Sequence, residues 1–168
     1  MARKPPLVDF SKFDLDKPIA TIEDIRKLIP QRFEMEQLTA VCYEDIETHS
    51  IVGYKDLTPD EFWCRGHMPG MPLMPGVIMC EAAAQLATYH SQRNKLMEGT
   101  IGFGGLENVR FRGMVRPGDR FVVMVRLLKV RRVIMTCAFQ CYVEEEPVAE
   151  GVLKGVALPV DIPQNPSS

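Results

Sequence analysis

The feature that most constrains the fold is a stretch from Val77 to about Asn94 that is apolar on nearly every side. Its apolar residues are Val77, Ile78, Met79, Ala82, Ala83, Ala84, Leu86 and Ala87. A helix without a polar face must be wrapped by other structure. This one is short for a membrane span and contains Glu81 and Gln85, so the sequence predicts a buried core helix.

The segments around this helix have the period of strands. From Arg132 to Val143, one set of alternate residues is wholly apolar and the other is mixed, which is typical of a strand with one buried face. Further strands are predicted near 40–47, 50–57, 121–128 and 148–158. Long strands joined by turns favour an antiparallel sheet. The predicted fold is α+β, a curved antiparallel sheet wrapped around a long central helix.

The chain reads as one domain with two short ends. Residues 1–20 carry three prolines and scattered charges, so we expect an N-terminal arm. Thr21 is a plausible cap for a short helix that Pro30 ends. The domain is expected to span residues 21–160, and residues 161–168 to form a C-terminal tail.

Charge and cysteine content limit the classes of function. The net charge of −2 gives no reason to expect binding to nucleic acid or a membrane. Seven arginines and one lysine between Glu107 and Arg132 form a basic segment, either a docking surface for an acidic partner or a solvated strand face. Five cysteines without a C-x-x-C pair argue against disulfides and a zinc site. No secretion signal is evident, so we expect a soluble cytoplasmic protein.

The loop before the apolar helix contains a histidine in a rigid setting. Gly66 and Gly70 permit unusual backbone angles, while Pro69, Pro72 and Pro75 fix others. Histidine changes charge near neutral pH, which makes His67 eligible for proton transfer. His49 and His90 lack such a setting. We interpret both as structural, and we expect His90 near the exposed end of the helix.

The apolar helix supplies three further candidates. Glu81 is a carboxyl group in apolar surroundings, and either it acts in acid–base chemistry or it caps a loop or pairs with an arginine. Gln85 lies one turn later on the same face and is within reach of Glu81. Gly76 and Val77 begin the helix, where unpaired amides and the helix dipole favour negative charge. These amides are candidates for polarising a carbonyl group.

The segment from Gly66 to Gln85 resembles a known pattern, G-H-F-P-G-x-P-x-x-P-G-V-x-x-x-E-A-x-A-Q. That pattern belongs to the hot-dog-fold 3-hydroxyacyl-acyl-carrier-protein dehydratases of fatty acid synthesis. The matching residues are Gly66, His67, Pro69, Gly70, Pro72, Pro75, Gly76, Val77, Glu81, Ala82, Ala84 and Gln85. Weaker similarity extends over roughly residues 22–158. Glutamate at 81 and valine at 77 match the dehydratase branch rather than the branch that also isomerises the double bond.

The resemblance implies a hot-dog fold and dehydration of (3R)-3-hydroxyacyl thioesters to trans-2-enoyl thioesters, without a metal or redox cofactor. His67 would remove a proton, Glu81 would protonate the leaving hydroxyl, the Gly76 and Val77 amides would hold the carbonyl oxygen, and Gln85 would orient Glu81. The implied working unit is a homodimer in which the histidine of one subunit faces the glutamate of the other. Several such enzymes are trimers of dimers.

An acyl carrier protein would deliver the substrate, with docking expected at Arg110–Arg132. Three departures from the family pattern stand out. Met68 replaces phenylalanine, Gln31 replaces histidine, and the segment 34–39 lacks the family's apolar run ending in aspartate. Two alternatives stay open at this point. A hot-dog thioesterase would hydrolyse the thioester, and a non-catalytic module would only bind the acyl group.

Overall fold

The computed structural model describes residues 4–160 and 162. The predicted tail therefore lies outside the described residues except for Ile162. Two helices occur, α1 (Ile22–Arg26) and α2 (Gly76–Arg93). The strands are β1 (Ala20–Thr21), β2 (Ala40–Asp45), β3 (Ser50–Asp56), β4 (Thr100–Phe111), β5 (Arg120–Arg131), β6 (Ile134–Val143) and β7 (Glu146–Leu158). Short 3₁₀ turns occupy Phe10–Lys12 and Phe33–Met35.

One antiparallel sheet organises the molecule. Its strand order is β1-β2-β3-β5-β6-β7-β4, and every neighbouring pair is antiparallel. Helix α2 packs against five of the strands, from β3 to β7. The predicted architecture, a sheet around one long helix, is confirmed. The strand order leaves β4 as an edge strand on the far side from β1 and β2.

The face of the sheet towards α2 forms the main core. Leu86, Ala82 and Ala83 of α2 are fully buried against residues such as Val123 and Phe139 of β5 and β6. Sheet and loops enclose the helix, which explains why it can be apolar on nearly every side. No helix in residues 4–160 combines the length and apolarity that a membrane crossing requires.

The N-terminal arm covers the opposite face of the sheet. Val8 is buried there with Val122, Met124 and Tyr142. The backbone N–H of Leu7 donates to Oε1 of Gln140 at 2.6 Å. The arm is therefore held by both apolar contacts and hydrogen bonds, and it covers Gln140 and Tyr142 of the mixed face predicted for β6, whereas Ile134 of that face is exposed.

Three local features differ from or sharpen the sequence prediction. Helix α1 ends at Arg26 rather than at Pro30, and the chain continues as a turn in which the amides of Leu28 and Ile29 both donate to the carbonyl of Ile25, at 3.0 and 3.1 Å. The register of β4 shifts between Phe103 and Gly105, which marks an irregularity at the glycines of that strand. The expected exposure of His90 is wrong, because its side chain is only 2% exposed.

Candidate active site

The loop that carries His67 is held by backbone hydrogen bonds. The amide of His67 donates to the carbonyl of Trp63 at 2.8 Å, and the amide of Leu73 donates to the carbonyl of His67 at 2.8 Å. The Trp63 side chain is buried and anchors the start of the loop in the core. Gly70 turns the chain with a φ of +78°, a conformation that glycine adopts without steric cost. The loop therefore presents His67 in a defined position.

The imidazole of His67 is exposed, and its tautomer follows from one contact. Its Nδ1 lies 2.8 Å from the carbonyl oxygen of Leu73. A carbonyl oxygen can only accept a hydrogen bond, so Nδ1 carries the proton in the neutral ring. The lone pair is then on Nε2, which faces away from this contact. In this state His67 can take up a proton.

Glu81 is held in place by a chain of hydrogen bonds. Its Oε1 accepts from Nε2 of Gln85 at 2.8 Å. Gln85 is itself buried. Its Oε1 accepts from the amide of Gln37 at 2.9 Å, and its Nε2 also donates to the carbonyl of Met35 at 2.6 Å. The contact between Gln85 and Glu81 that the helix spacing predicted is present. The 3₁₀ turn that ends in Met35 was not predicted as part of this support.

Glu81 borders a small pocket between α2 and the sheet. Ala84 and Thr88 continue the same wall, and apolar residues of β4, β6 and β7 form the other. Glu81 is half-buried rather than enclosed, so one side of the carboxyl group faces this pocket. His67 is not among the residues that line it. A single chain therefore does not place His67 and Glu81 around the same pocket.

Helix α2 begins at Gly76, as predicted. The amides of Ile78 and Met79 donate to the carbonyl of Pro75, at 2.9 and 3.3 Å, which leaves the amides of Gly76 and Val77 as the first of the helix. A Cβ atom at position 76 would meet the ring of Phe111 at 2.6 Å, so the exposed ring would have to move to admit a side chain there. Phe111 thus lies over the start of the helix, a neighbour that no local sequence pattern indicated.

The predicted basic segment divides into separate groups. Arg112 is paired with Glu150, and Arg120 is paired with Asp16 and Asp56. Arg110 and Arg116 are exposed beside Phe111 and the end of the His67 loop, where the amide of Met74 donates to the carbonyl of Val115 at 2.8 Å. A second group lies at the far end of β5. Its members are Lys129, Arg131 and Arg132.

His49, His90 and Cys80 lie outside the site, in surroundings typical of residues with a structural role. Nδ1 of His90 lies 2.7 Å from Oε1 of Glu44, and its ring is 5.8 Å from that of His49. Burial raises the pKa of Cys80 to about 11, so this thiol stays protonated near neutral pH and is a poor nucleophile. Within residues 4–160, no three His, Cys, Asp or Glu side chains converge as metal ligands.

Comparison with known proteins identifies relatives over most of the chain. A FabA-like domain matches residues 29–152. The 3-hydroxyacyl-acyl-carrier-protein dehydratase FabZ of Clostridioides difficile is 35% identical over 133 residues, which cover 79% of this chain and 93% of that protein. The FabZ of Chlamydia trachomatis serovar L2 is 32% identical over 147 residues, covering 84% of this chain and 94% of that one.

Solved structures show the same fold at lower sequence identity. A virulence protein from Campylobacter jejuni superposes with a TM-score of 0.63 at 16% identity, covering 86% of this chain and 96% of that one. A dehydratase heterocomplex from Xenorhabdus doucetiae gives a TM-score of 0.61 at 14% identity, covering 80% and 90%. With the domain match, these likenesses confirm the predicted hot-dog fold.

Proposed function

We propose a role for each site residue from the premise that this chain belongs to the family of FabA-like domains. It is a dehydratase of 3-hydroxyacyl thioesters, a hydro-lyase of fatty acid synthesis, as are its FabZ relatives. The reaction removes a proton from C2 and the hydroxyl group from C3, and it yields a trans-2-enoyl thioester and water. A base, an acid and a site for the thioester oxygen are the chemical requirements.

In this proposal His67 is the base and Glu81 is the acid. Nε2 of neutral His67 takes the C2 proton, and protonated Glu81 gives its proton to the C3 hydroxyl as the C–O bond breaks. The amides of Gly76 and Val77 donate to the thioester oxygen while it gains negative charge. Gln85 positions Glu81. The observation that carries the proposal is the pair of fixed groups, an imidazole with a free Nε2 and a carboxyl group held at a pocket.

A second copy of the chain completes the site. Edge strand β4 is 12 residues long, and its exposed side chains include Phe103, Leu106 and Phe111. An exposed apolar edge is a template for pairing with another strand. Residues 101–103 of β4 also line the Glu81 pocket, so a partner strand along β4 brings the second chain to that pocket. The homodimer then joins His67 of one protomer to Glu81 of the other.

Substitution of Leu106 tests this pairing. Leu106→Lys places a charge on the edge, so the protein should become monomeric by sedimentation and lose most of its turnover. Ile46→Lys is the control, because Ile46 is similarly exposed but lies at the β2–β3 turn. A monomeric wild type with full activity would contradict the dimeric site. The proposed site needs a dimer, and assembly of three dimers into a hexamer is not needed to complete it. Sedimentation also distinguishes a dimer from a hexamer.

The acyl carrier protein is proposed to dock at Arg110 and Arg116. These two residues are exposed, and they lie close in sequence to Phe111, whose ring lies over the start of α2. Charge complementarity to an acidic carrier protein raises the association rate. Arg110→Glu with Arg116→Glu should weaken carrier binding, whereas Arg131→Glu with Arg132→Glu is a matched control at the far end of β5. Equal effects of the two pairs on carrier binding would contradict the proposed docking site.

The free state of all five cysteines supports a cytoplasmic location.

The reaction is tested in the hydration direction. Consumption of a short trans-2-enoyl thioester is followed spectroscopically, with a thiol trap that reports hydrolysis. His67→Ala and Glu81→Gln should each lower the rate by about 10²–10⁴, whereas His49→Gln and Glu47→Gln control for the same side-chain types elsewhere. Thiol release would indicate a thioesterase. Binding of the enoyl thioester without turnover would indicate a non-catalytic module.

A further inference from the structure

The hairpin between β5 and β6 extends past the end of the neighbouring strand β3. The pairing of β3 with β5 ends at Arg126, and the amide of Leu127 then donates to the carbonyl of His49 at 3.0 Å. Among the described residues, 128–131 of β5 therefore pair with β6 alone. We call residues 128–134, which include the turn into β6, the hairpin tip.

The hairpin tip exposes a group of aliphatic side chains. They belong to Leu128, Val130, Val133 and Ile134, of which Leu128 is 56% exposed. The end of β7 lies alongside, because the amide of Ala157 donates to the carbonyl of Val133 at 2.8 Å. Leu158, the last residue of β7, is exposed as well. Single exposed aliphatic residues are ordinary, whereas a group of them marks an interaction surface.

The hairpin tip also has three cations without carboxylate partners. Lys129, Arg131 and Arg132 are exposed and form no ion pair within the described part of the chain. By contrast, Arg120 at the start of the same strand is paired with two aspartates. No Asp or Glu occurs between positions 120 and 143. The tip is therefore a local concentration of positive charge on a chain with a net charge of −2.

The adjacent turn between β2 and β3 contains two acidic residues, Asp45 and Glu47. Asp45 is engaged within its own turn, where its Oδ2 accepts from Oγ1 of Thr48 at 2.8 Å. Among the described residues, neither carboxylate forms an ion pair with the hairpin tip. The charge of the tip is therefore available to a partner.

The composition of the hairpin tip fits an anionic lipid surface better than a protein. Protein interfaces concentrate binding energy in Trp, Tyr and Arg residues that fill pockets, and Leu and Val are under-represented there. The tip has four aliphatic residues and no aromatic one. At a bilayer interface, aliphatic side chains enter the boundary between headgroups and acyl chains, while Lys and Arg are attracted to anionic headgroups. Repulsion between like charges disfavours a second copy of the tip as the partner.

We infer that the hairpin tip attaches the protein peripherally to membranes rich in anionic phospholipid. In this arrangement Leu128 and Val133 enter the interfacial layer, and the three cations contact lipid phosphates. The tip lies at the far end of β5 from Arg110 and Arg116, the proposed carrier site. The inference therefore adds a second surface to the proposed function and does not depend on the reaction.

Co-sedimentation of the protein with lipid vesicles tests this inference. The vesicles contain equal parts of phosphatidylglycerol and phosphatidylcholine, and vesicles of phosphatidylcholine alone are the neutral reference. The wild type should bind the anionic vesicles, less so as salt is added, and should not bind the neutral ones. Arg131→Glu with Arg132→Glu should lower the affinity by at least about twentyfold, because each cation near an anionic surface contributes about fivefold.

The aliphatic residues are tested separately. Leu128→Ser with Val133→Ser should lower the affinity for anionic vesicles by about tenfold, since the variant loses apolar area that the interface would bury. Ile19→Ser is the control, because Ile19 is 53% exposed but lies beside β1 at the other edge of the sheet. Unchanged affinity in the Leu128 and Val133 variant would contradict insertion of the tip.

Arg110→Glu with Arg116→Glu is the matched control for charge, because it changes the net charge equally at a different place. It should retain far more vesicle binding than the tip variant. No binding of wild type to anionic vesicles, or equal losses in the two charge-reversed variants, would overturn the inference. Loss of carrier-protein binding in the tip variant with unchanged vesicle binding would assign the tip to an acidic protein instead. Enoyl-thioester hydration should be unchanged in the tip variants and shows that they are folded.

Discussion

At the scale of single residues, the geometry of the site depends on the amide of Gln85. An amide has one acceptor and two donor hydrogens, and here each atom has a defined partner. The backbone N–H of Gln37 fixes the oxygen, and the carbonyl of Met35 and the carboxylate of Glu81 fix the nitrogen. Because two of these partners belong to the backbone, the amide cannot rotate without losing hydrogen bonds. Glu81 therefore keeps one oxygen bound and presents the other to the pocket.

Gln85→Leu should lower both stability and catalysis. The substitution leaves the amide of Gln37 buried without a partner and removes the hydrogen bond to the carbonyl of Met35, at a cost of about 1–3 kcal/mol in the free energy of unfolding. Because Glu81 loses its support, kcat should fall more than KM changes. Denaturant unfolding and hydration kinetics measure the two effects. Gln92→Leu, at the other end of α2, is the control, and an unchanged kcat in Gln85→Leu would contradict the positioning role.

Glu44 is predicted to make stability depend on pH. Burial alone would raise its pKa, but hydrogen bonds from His90 and Asn94 outweigh that effect, so the pKa of Glu44 lies below its ordinary value of 4.5. A lowered pKa in the folded state gives stability that is present above pH 4.5 and is lost as the pH falls through the folded pKa.

Glu44→Gln should therefore destabilise the protein at pH 7, by about 1.5–3 kcal/mol for hydrogen bonds to a charged group. The difference from wild type should shrink as the pH falls below 4.5. Urea unfolding across this range measures it, with Glu47→Gln as an exposed control. A difference that stays constant down to low pH would show that the charge of Glu44 does not contribute.

At the scale of elements, the close packing of α2 on the sheet determines where Glu81 lies. Leu86 of α2 approaches Gly53 of β3, and a Cβ atom at Gly53 would lie 3.0 Å from Cδ1 of Leu86 and 3.0 Å from the carbonyl oxygen of Ala40. The absence of a side chain at Gly53 permits this helix–sheet distance.

Gly53→Ala should destabilise the protein by about 1–3 kcal/mol, the usual cost of inserting atoms into a packed core. The backbone oxygen of Ala40 in β2 cannot move aside as the end of the Leu86 side chain can, so the paired strands β2 and β3 must shift by a few tenths of an ångström. Gly66→Ala is the control, since a Cβ atom at that position would have no atom within 4 Å apart from its own chain neighbours. Thermal unfolding distinguishes the two, and equal midpoints would contradict the close approach.

Local patterns predicted the elements but not their long-range neighbours. The apolar stretch after Pro75 and the alternation in β6 led directly to α2 and a sheet strand, because both depend on residues close in sequence. Burial of His90 was missed because Glu44, its partner, is 46 residues away. The hydrogen bond from Gln37 to Gln85 was missed for the same reason, because the two residues are far apart in sequence, whereas the contact between Gln85 and Glu81 was predicted. The resemblance indicated the two-chain site, which no single-chain pattern contains.

At the scale of the whole molecule, the two faces of the sheet and its two edges have different roles. One face encloses α2, and the N-terminal arm covers the other. The β1 edge is only two residues long, whereas the β4 edge is 12 residues long and has exposed apolar side chains. The longer edge is adjacent to the Glu81 pocket. Among the described residues, this edge is therefore the surface on which the proposed homodimer forms.

The most direct measurement is complementation between two inactive variants. His67→Ala and Glu81→Gln chains are co-expressed with different affinity tags, and the mixed population is assayed for enoyl-thioester hydration. In a two-fold dimer with composite sites, half of the dimers contain both chains and one of their two sites is intact, so about a quarter of wild-type activity should return. If each site uses His67 and Glu81 of the same chain, every site carries one defect, and activity in the mixture no higher than in either variant alone would contradict the account.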